Sequence, residues 1–155
     1  SPPIVDIEFV ETELDEVLVQ LVEEGGQKIS ARILSDGTLR FMGLLAALFT
    51  VPEGTIILLE EIENGLHPTR IHLLMELLEQ FAAERNLQII ATTHSSQVLM
   101  GLSESALQDA VLFARDEEHP GTIVKRLGDL DHFDEVTKST RIDELFTTGW
   151  LEFAV

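Results

Sequence analysis

The chain has 155 residues, of which 45% are hydrophobic, and this length suits one compact domain with its own core. It contains no cysteine, which excludes disulfides and thiolate metal sites, and its longest apolar run, residues 41–49, is about half of a bilayer span. Because the net charge is −18, the chain lacks the clustered basic residues that bind nucleic acid, and we predict a single cytoplasmic domain over residues 1–155 with no membrane contact and no direct nucleic-acid binding.

The first third of the chain has the alternating pattern of antiparallel strands. Apolar and polar residues alternate over residues 5–9, 17–21 and 29–33, which is the period of a strand with one exposed face. Gly25 and Gly26 separate the second segment from the third and are typical of a hairpin turn. We therefore predict antiparallel β-hairpins in this part of the chain.

The pattern changes from strand to helix at Ser35. Ser35, Asp36 and Gly37 are candidates for the helix N-cap, and from there to Phe49 the segment carries one further charge, Arg40. A helix that is apolar nearly all round is normally buried, so we predict a buried helix. Its first N–H groups and the Ser35 hydroxyl have the arrangement of an anion-binding site. An ordinary capped helix is the alternative.

Two short apolar strands follow, at residues 55–59 and 88–91, and an amphipathic helix that begins near Pro68 lies between them. A connection of this length is what a parallel strand pair needs. The uninterrupted apolar runs predict that both strands are buried. In a parallel pair the carboxyl ends meet at one edge of the sheet, where ligands bind in open α/β sheets.

Polar side chains follow directly after both apolar strands. Glu60 and Glu61 end the first strand, and His94 follows the second, so we expect the three side chains to face one site. One carboxylate can hold Mg²⁺ and another can orient an attacking water, whereas acids at a loop entry and a structural histidine are the alternatives. Glu63 adds like charge that favours a cation. For His67, before Pro68, we predict a loop or cap role.

The rest of the chain has weaker patterns. Ser95 and Ser96 predict the start of a short helix that reaches about Leu102. Residues 111–114 and 122–126 predict a hairpin, because a His-Pro-Gly turn lies between them. Apolar residues at 142, 145 and 146 suggest a terminal helix, which Trp150 anchors.

Several of these segments resemble the motifs of the ATP-binding-cassette (ABC) ATPases. The resemblance is to the branch that includes RecF, SMC and OLD-family proteins and related AAA-type defence ATPases. Residues 34–40 resemble the signature motif, residues 55–61 the Walker B strand, residues 63–68 the D-loop and residues 91–95 the switch-histidine motif. The resemblance implies the α/β fold of a P-loop NTPase, with a partly parallel sheet, flanking helices and antiparallel β-hairpins.

Carried over to this sequence, the resemblance implies an ATPase that uses ATP and Mg²⁺. Glu60 would support Mg²⁺, Glu61 would polarise the attacking water, and His94 would contact the γ-phosphate. These roles make Glu61 and His94 the catalytic residues and Glu60 the metal ligand.

The resemblance also implies that the site is shared between two ATPase halves. Ser35, Gly37 and Thr38, in the signature motif, would bind the γ-phosphate of a nucleotide held mainly by a second half. Asn64 would line the interface between the halves. The implied partner is a second ATPase half, or a homodimer partner, that carries a Walker A motif.

Two features depart from the family pattern. Glu60 stands where the family has Asp, and its extra methylene perturbs a near-octahedral Mg²⁺ shell. No Gly-x-x-x-x-Gly-Lys-Ser/Thr loop occurs in the sequence. The chain thus resembles the C-terminal half of an ATPase, as a fragment or as one piece of a split protein. By itself we predict negligible turnover and weak nucleotide affinity.

Three hypotheses follow from the sequence. The first is the C-terminal portion of an ABC-type ATPase from a DNA-repair or phage-defence protein. The second is a non-catalytic docking or dimerisation module derived from such an ATPase. The third is a metal-dependent hydrolase that uses Glu60, Glu61, His67 and His94.

Overall fold

Antiparallel strands precede a parallel strand pair in the computed structural model of the chain, which describes residues 3–13, 15–116 and 119–154. The chain divides into two compact units, residues 1–50 and 51–155. The first and last residues of the predicted single domain lie outside the described residues. The single-domain assignment stays a prediction. In the described part of the chain, no helix is both long and apolar enough to cross a membrane.

The first unit opens with the antiparallel sheet that the alternating pattern predicts. Its strands lie in the order β1 (Ile4–Glu11), β2 (Val17–Glu23) and β3 (Lys28–Ser30). Gly26 has a φ of 79° in the turn between β2 and β3, a conformation that glycine adopts without steric cost. The third strand is shorter than expected, because a 3-10 turn, Ala31–Ile33, replaces its second half.

The helix that follows, α1 (Asp36–Thr50), begins at the predicted position. Its predicted burial is wrong. Gly37 and Leu48 are its buried residues, whereas Phe49 is 65% exposed. An apolar surface all round a helix requires partners on every side, and the described residues cover only part of this one.

The second unit contains the predicted β-α-β arrangement. Strand β4 (Ile56–Leu59) pairs in parallel with β5 (Gln88–Ala91), and Ile56 lies opposite Gln88. The connecting helix is α2 (Pro68–Glu84). Its buried residues recur at helical spacing and are Ile71, Leu74, Met75, Leu78 and Phe81. The predicted parallel pair and its crossover helix are confirmed.

The predicted burial of the two parallel strands is wrong. Ile56 is 56% exposed, Leu58 71% and Ile90 60%. These three side chains alternate with half-buried ones along β4 and β5, so they lie on one face of a two-stranded sheet. Helix α2 packs on β5, and the described residues leave the other face open. An apolar run therefore predicted a strand correctly but did not predict what covers it.

The remaining elements surround a second apolar cluster. They are α3 (Ser96–Gly101), α4 (Glu104–Asp109), the antiparallel strands β6 (Val111–Arg115) and β7 (Thr122–Arg126), α5 (Phe133–Ser139), α6 (Ile142–Thr147) and α7 (Trp150–Phe153). The buried members of the cluster are Leu99, Leu127, Leu130, Phe133, Leu145 and Leu151, and Trp150 packs against them. The predicted short helix, hairpin and Trp150 anchor are confirmed. The terminal helix is divided into shorter helices.

Candidate functional site

The carboxyl ends of β4 and β5 lie side by side, and backbone hydrogen bonds continue their pairing into the loops. Thr92 N donates to Leu59 O at 2.9 Å, and Ile62 N donates to Thr92 O at 3.1 Å. Ile62 is buried, with 1% of its surface exposed, and anchors the first loop. The loops that carry Glu60 and Glu61 on one side and His94 on the other therefore leave the same edge of the sheet, as predicted.

Glu61 has an unusual backbone conformation. Its φ is 44°, in the left-handed region that costs a residue with a Cβ atom about 1–2 kcal/mol. Glu61 N donates to Thr92 Oγ1 at 3.0 Å, so the loop after β5 holds this conformation. Asn64 Nδ2 donates to Glu61 Oε2 at 3.3 Å. Asn64, which the resemblance implied lines an interface, thus orients the carboxylate of Glu61 in this chain.

Glu60, Glu61 and His94 are all exposed at the sheet edge. Carboxylate oxygens are hard ligands that fit Mg²⁺, which commonly takes one or two protein carboxylates and completes its shell with water and phosphate oxygens. Glu60 would be the carboxylate that holds such an ion. The roles of Glu60, Glu61 and His94 stay predictions.

His67 begins α2 as its N-cap residue, and its Nδ1 accepts a hydrogen bond from Thr69 N at 3.4 Å. The predicted cap role is confirmed. Among the described residues, no three His, Asp or Glu side chains form a group that could hold a metal ion. His67 was a proposed ligand of the metal-dependent hydrolase, and its Nδ1 contacts Thr69 instead.

Glu63 is the site residue whose role the sequence did not reveal. Its carboxylate accepts hydrogen bonds from Thr93 Oγ1 at 2.8 Å and from His94 N at 2.9 Å. Partial burial acts to raise the pKa of Glu63, but hydrogen bonds from the His94 N–H, its own N–H and the Thr93 hydroxyl, with the charge of His94, hold the pKa below its usual value. In the sequence, the only indication of this contact was a carboxylate 30 residues before a threonine of the predicted switch-histidine motif.

The predicted signature segment lies in the first unit and forms an N-cap. Ser35 Oγ accepts a hydrogen bond from Thr38 N at 3.3 Å and lies 2.9 Å from Thr38 Oγ1. Gly37 is buried in the first turn of α1. The predicted cap is confirmed, and the nucleotide contacts of Ser35, Gly37 and Thr38 stay predictions.

Two solved structures share the fold of this chain. One, described as "Structural biochemistry of ATP-driven dimerization and DNA stimulated activation of SMC ATPases", aligns with a TM-score of 0.58 and 11% identity over 90% of this chain and 85% of that chain. The Smc head domain with a coiled coil and joint from Pyrococcus yayanosii aligns with a TM-score of 0.53 and 14% identity over 86% and 25%, respectively. The fold is thus the α/β fold of P-loop NTPases, as predicted.

The family assignment comes from sequence. A family model described as "AAA domain, putative AbiEii toxin, Type IV TA system" matches residues 3–100, more than half of the chain, and the chain belongs to this AAA-domain family. An "ATP/GTP phosphatase" of Helicobacter pylori is 28% identical over 101 residues, which are 63% of this chain and 25% of that protein. The chain thus spans about a quarter of this relative's length. Family membership supports an ATPase-type nucleotide-binding function.

Proposed function

We propose that this chain is the C-terminal portion of an ABC-type ATPase of the RecF, SMC and OLD branch. It supplies the Walker B strand, the D-loop, the switch histidine and the signature segment, and a second ATPase half supplies the Walker A loop. The observation that carries the proposal is the shared carboxyl edge of β4 and β5, where Glu61 is bonded to Thr92 and Glu63 to Thr93 and His94.

Each side chain at the edge has a role in hydrolysing ATP to ADP and phosphate. Glu60 holds Mg²⁺, which when bound neutralises charge on the phosphate oxygens. Glu61 accepts a hydrogen bond from the attacking water and orients it, and Asn64 keeps the carboxylate in place. His94 donates to the γ-phosphate. Removal of a general base of this kind typically lowers the rate by about 10²–10⁴-fold.

The second half docks on the apolar face of β4 and β5. Ile56, Leu58 and Ile90 are exposed there, and a parallel sheet is normally covered on both faces. A Walker A strand and its helix, added at this sheet, would cover the face and bring the phosphate loop to the carboxyl edge. The partner is either a segment of the same protein or a second subunit.

The proposed biological setting is DNA repair or phage defence. The family description names a toxin–antitoxin system, and one structure with this fold comes from SMC ATPases with DNA-stimulated activation. Since this chain carries a net charge of −18, DNA would be contacted by another part of the assembly.

The test is reconstitution of the ATPase. We expect that co-expression with a Walker A-bearing half gives a complex that releases phosphate from ATP, and that Glu61→Gln lowers kcat by about 100-fold or more. Glu76→Gln, which removes the same charge from an exposed position on α2, is the matched control and should keep full activity. Equal kcat values for the two variants would contradict the proposal.

The alternative function is a non-catalytic docking module, and the open face of β4 and β5 favours it. A docking module binds the second half but does not need Glu61. If the wild-type chain binds the second half but the complex releases no phosphate from ATP, this alternative is established. If the wild-type complex releases phosphate and the Glu61→Gln complex does not, the docking-module alternative is excluded.

A further inference from the structure

Glu63 joins the loop after β4 to the loop after β5 with both of its carboxylate oxygens. Oε2 accepts from Thr93 Oγ1 at 2.8 Å, and Oε1 accepts from His94 N at 2.9 Å. The partners lie 30 and 31 residues further along the chain, so these bonds fix two separate loops against each other. Glu63 is half-buried between them.

The contact continues beyond His94 into the next helix. Thr93 Oγ1 also accepts from Ser95 N at 3.0 Å, and Ser95 Oγ accepts from Gln97 N at 3.2 Å as the N-cap of α3. Backbone and side-chain groups on both sides of His94 are therefore held, while the imidazole of His94 remains exposed. This arrangement fixes where the histidine side chain starts but leaves its ring accessible.

We propose that Glu63 is a positioning residue for His94, and that the Glu63–Thr93–His94 hydrogen bonds, here called the loop clamp, set the imidazole at the carboxyl edge beside Glu61. The inference rests on the proposed function, since it assigns to Glu63 the placement of the predicted γ-phosphate contact. Glu63 acts through the backbone of the loop after β5, which carries His94, and does not itself touch the nucleotide.

The clamp depends on the charge of the Glu63 carboxylate. An ionised carboxylate accepts through both oxygens, and bonds to a charged acceptor are roughly twice as strong as neutral ones. The lowered pKa of Glu63 has the same origin, since both donors favour its charged form. Glutamine offers a neutral acceptor oxygen and an NH2 group. Glu63→Gln therefore removes the charged acceptor from both contacts, and it can keep both only if the Thr93 hydroxyl changes from donor to acceptor.

Glu61, the nearby carboxylate at the same edge, makes contacts different from those of Glu63. Glu61 accepts from Asn64 and has its own N–H bonded to Thr92. Both oxygens of Glu63 already have donors from residues 93 and 94. These contacts separate the two tasks, because Glu61 is the proposed contact of the attacking water, whereas Glu63 is hydrogen-bonded to the loop that carries the histidine.

The first measurement is amide hydrogen exchange of His94 in the 155-residue chain, which does not depend on ATPase activity. Replacing a charged acceptor with a neutral one weakens a hydrogen bond by about 10-fold in its equilibrium, and we expect His94 N–H exchange to accelerate by about this factor in Glu63→Gln. Glu79→Gln is the matched control, because Glu79 accepts from Ser103 N at 2.8 Å in the same unit.

The second measurement is steady-state kinetics of the reconstituted ATPase. We expect Glu63→Gln to lower kcat by about 10-fold with little change in KM, because the clamp positions a group for the reaction. Thr93→Val should lower kcat as well, Thr93→Ser should restore it, and Glu79→Gln should leave it unchanged. A kcat in Glu63→Gln equal to that in Glu79→Gln would overturn the inference.

The two measurements separate this inference from the proposed function. If the wild-type complex releases no phosphate, the proposed function fails, while His94 exchange still tests the clamp. If Glu63→Gln does not fold, Thr93→Val and Thr93→Ser provide the same comparison. Exchange of His94 that is equally slow in wild type, Glu63→Gln and Thr93→Val would overturn the clamp whatever the activity.

Discussion

The carboxylate of Glu63 links the stability of the second unit to pH. The pKa of Glu63 is lower in the folded chain than the ordinary pKa of a glutamate side chain, and that ordinary pKa is about 4.3. The stabilisation is therefore fully present above that ordinary value and is lost as the pH falls through it and through the lower pKa of the folded state.

We therefore expect Glu63→Gln to lower the free energy of unfolding at pH 7 and to differ less from wild type below about pH 4. Urea unfolding of both proteins between pH 3 and pH 7 measures this difference. A destabilisation that is the same at every pH would show that the charge of Glu63 does not contribute.

The left-handed backbone at Glu61 also affects the stability of the chain. Alanine at φ 44° keeps the Cβ atom that clashes with the backbone, whereas glycine removes it. We expect Glu61→Gly to be more stable than Glu61→Ala by about 1 kcal/mol. In α2 the order should reverse, with Glu76→Gly less stable than Glu76→Ala by about 1 kcal/mol. Urea unfolding of the four variants tests both orders, and the same order at both positions would contradict the assignment.

Helix α3 packs closely on α2 at Gly101. A Cβ atom at Gly101 would lie 2.8 Å from Met75 Cγ and 3.3 Å from His72 Nδ1, whereas one at Gly43 in α1 would meet nothing within 4 Å. Overpacking costs about 1–3 kcal/mol, and alanine in place of glycine within an open helix gains up to about 1 kcal/mol.

We therefore expect Gly101→Ala to lower the free energy of unfolding and Gly43→Ala to raise it. Chemical denaturation of the two variants beside wild type provides the measurement. A gain in stability from Gly101→Ala would show that Met75 moves aside at no cost and that α3 does not depend on this close contact.

Local sequence patterns predicted most elements of the fold but not their surroundings. The periodicity of α2 and the apolar runs of β4 and β5 are short-range signals, and the parallel pairing followed from the length of the connection. The exposure of Leu58 could not be predicted, since it depends on which elements cover the sheet. Helix α4 was missed because its six residues are too few to show a helical period.

The candidate site divides in the same way. The positions of Glu60, Glu61 and His94 at one edge followed from strand order alone. Glu63 could not be identified as a partner of the switch loop, because its hydrogen bonds reach residues 30 and 31 positions away. Sequence reasoning located the residues that end strands, and the structure added the contact between their loops.

The net charge of −18 opposes folding of the chain through self-repulsion. Ion pairs such as Lys28–Glu8 lie at exposed side chains and contribute little. The Debye length falls from about 30 Å at 0.01 M salt to about 8 Å at 0.15 M, which screens repulsion between distant carboxylates.

We therefore expect the Tm of the chain to rise when sodium chloride is increased over this range. Thermal unfolding at constant pH and protein concentration is the measurement. A Tm that falls with salt would mean that the ion pairs outweigh the repulsion.

The open face of β4 and β5 limits how much salt can be added to raise the Tm. Electrostatic repulsion between the acidic molecules opposes association through the exposed apolar side chains of this face, Ile56, Leu58 and Ile90. Salt that screens repulsion within one molecule also screens repulsion between molecules. We therefore expect the isolated chain to unfold more readily at low ionic strength and to aggregate at high ionic strength.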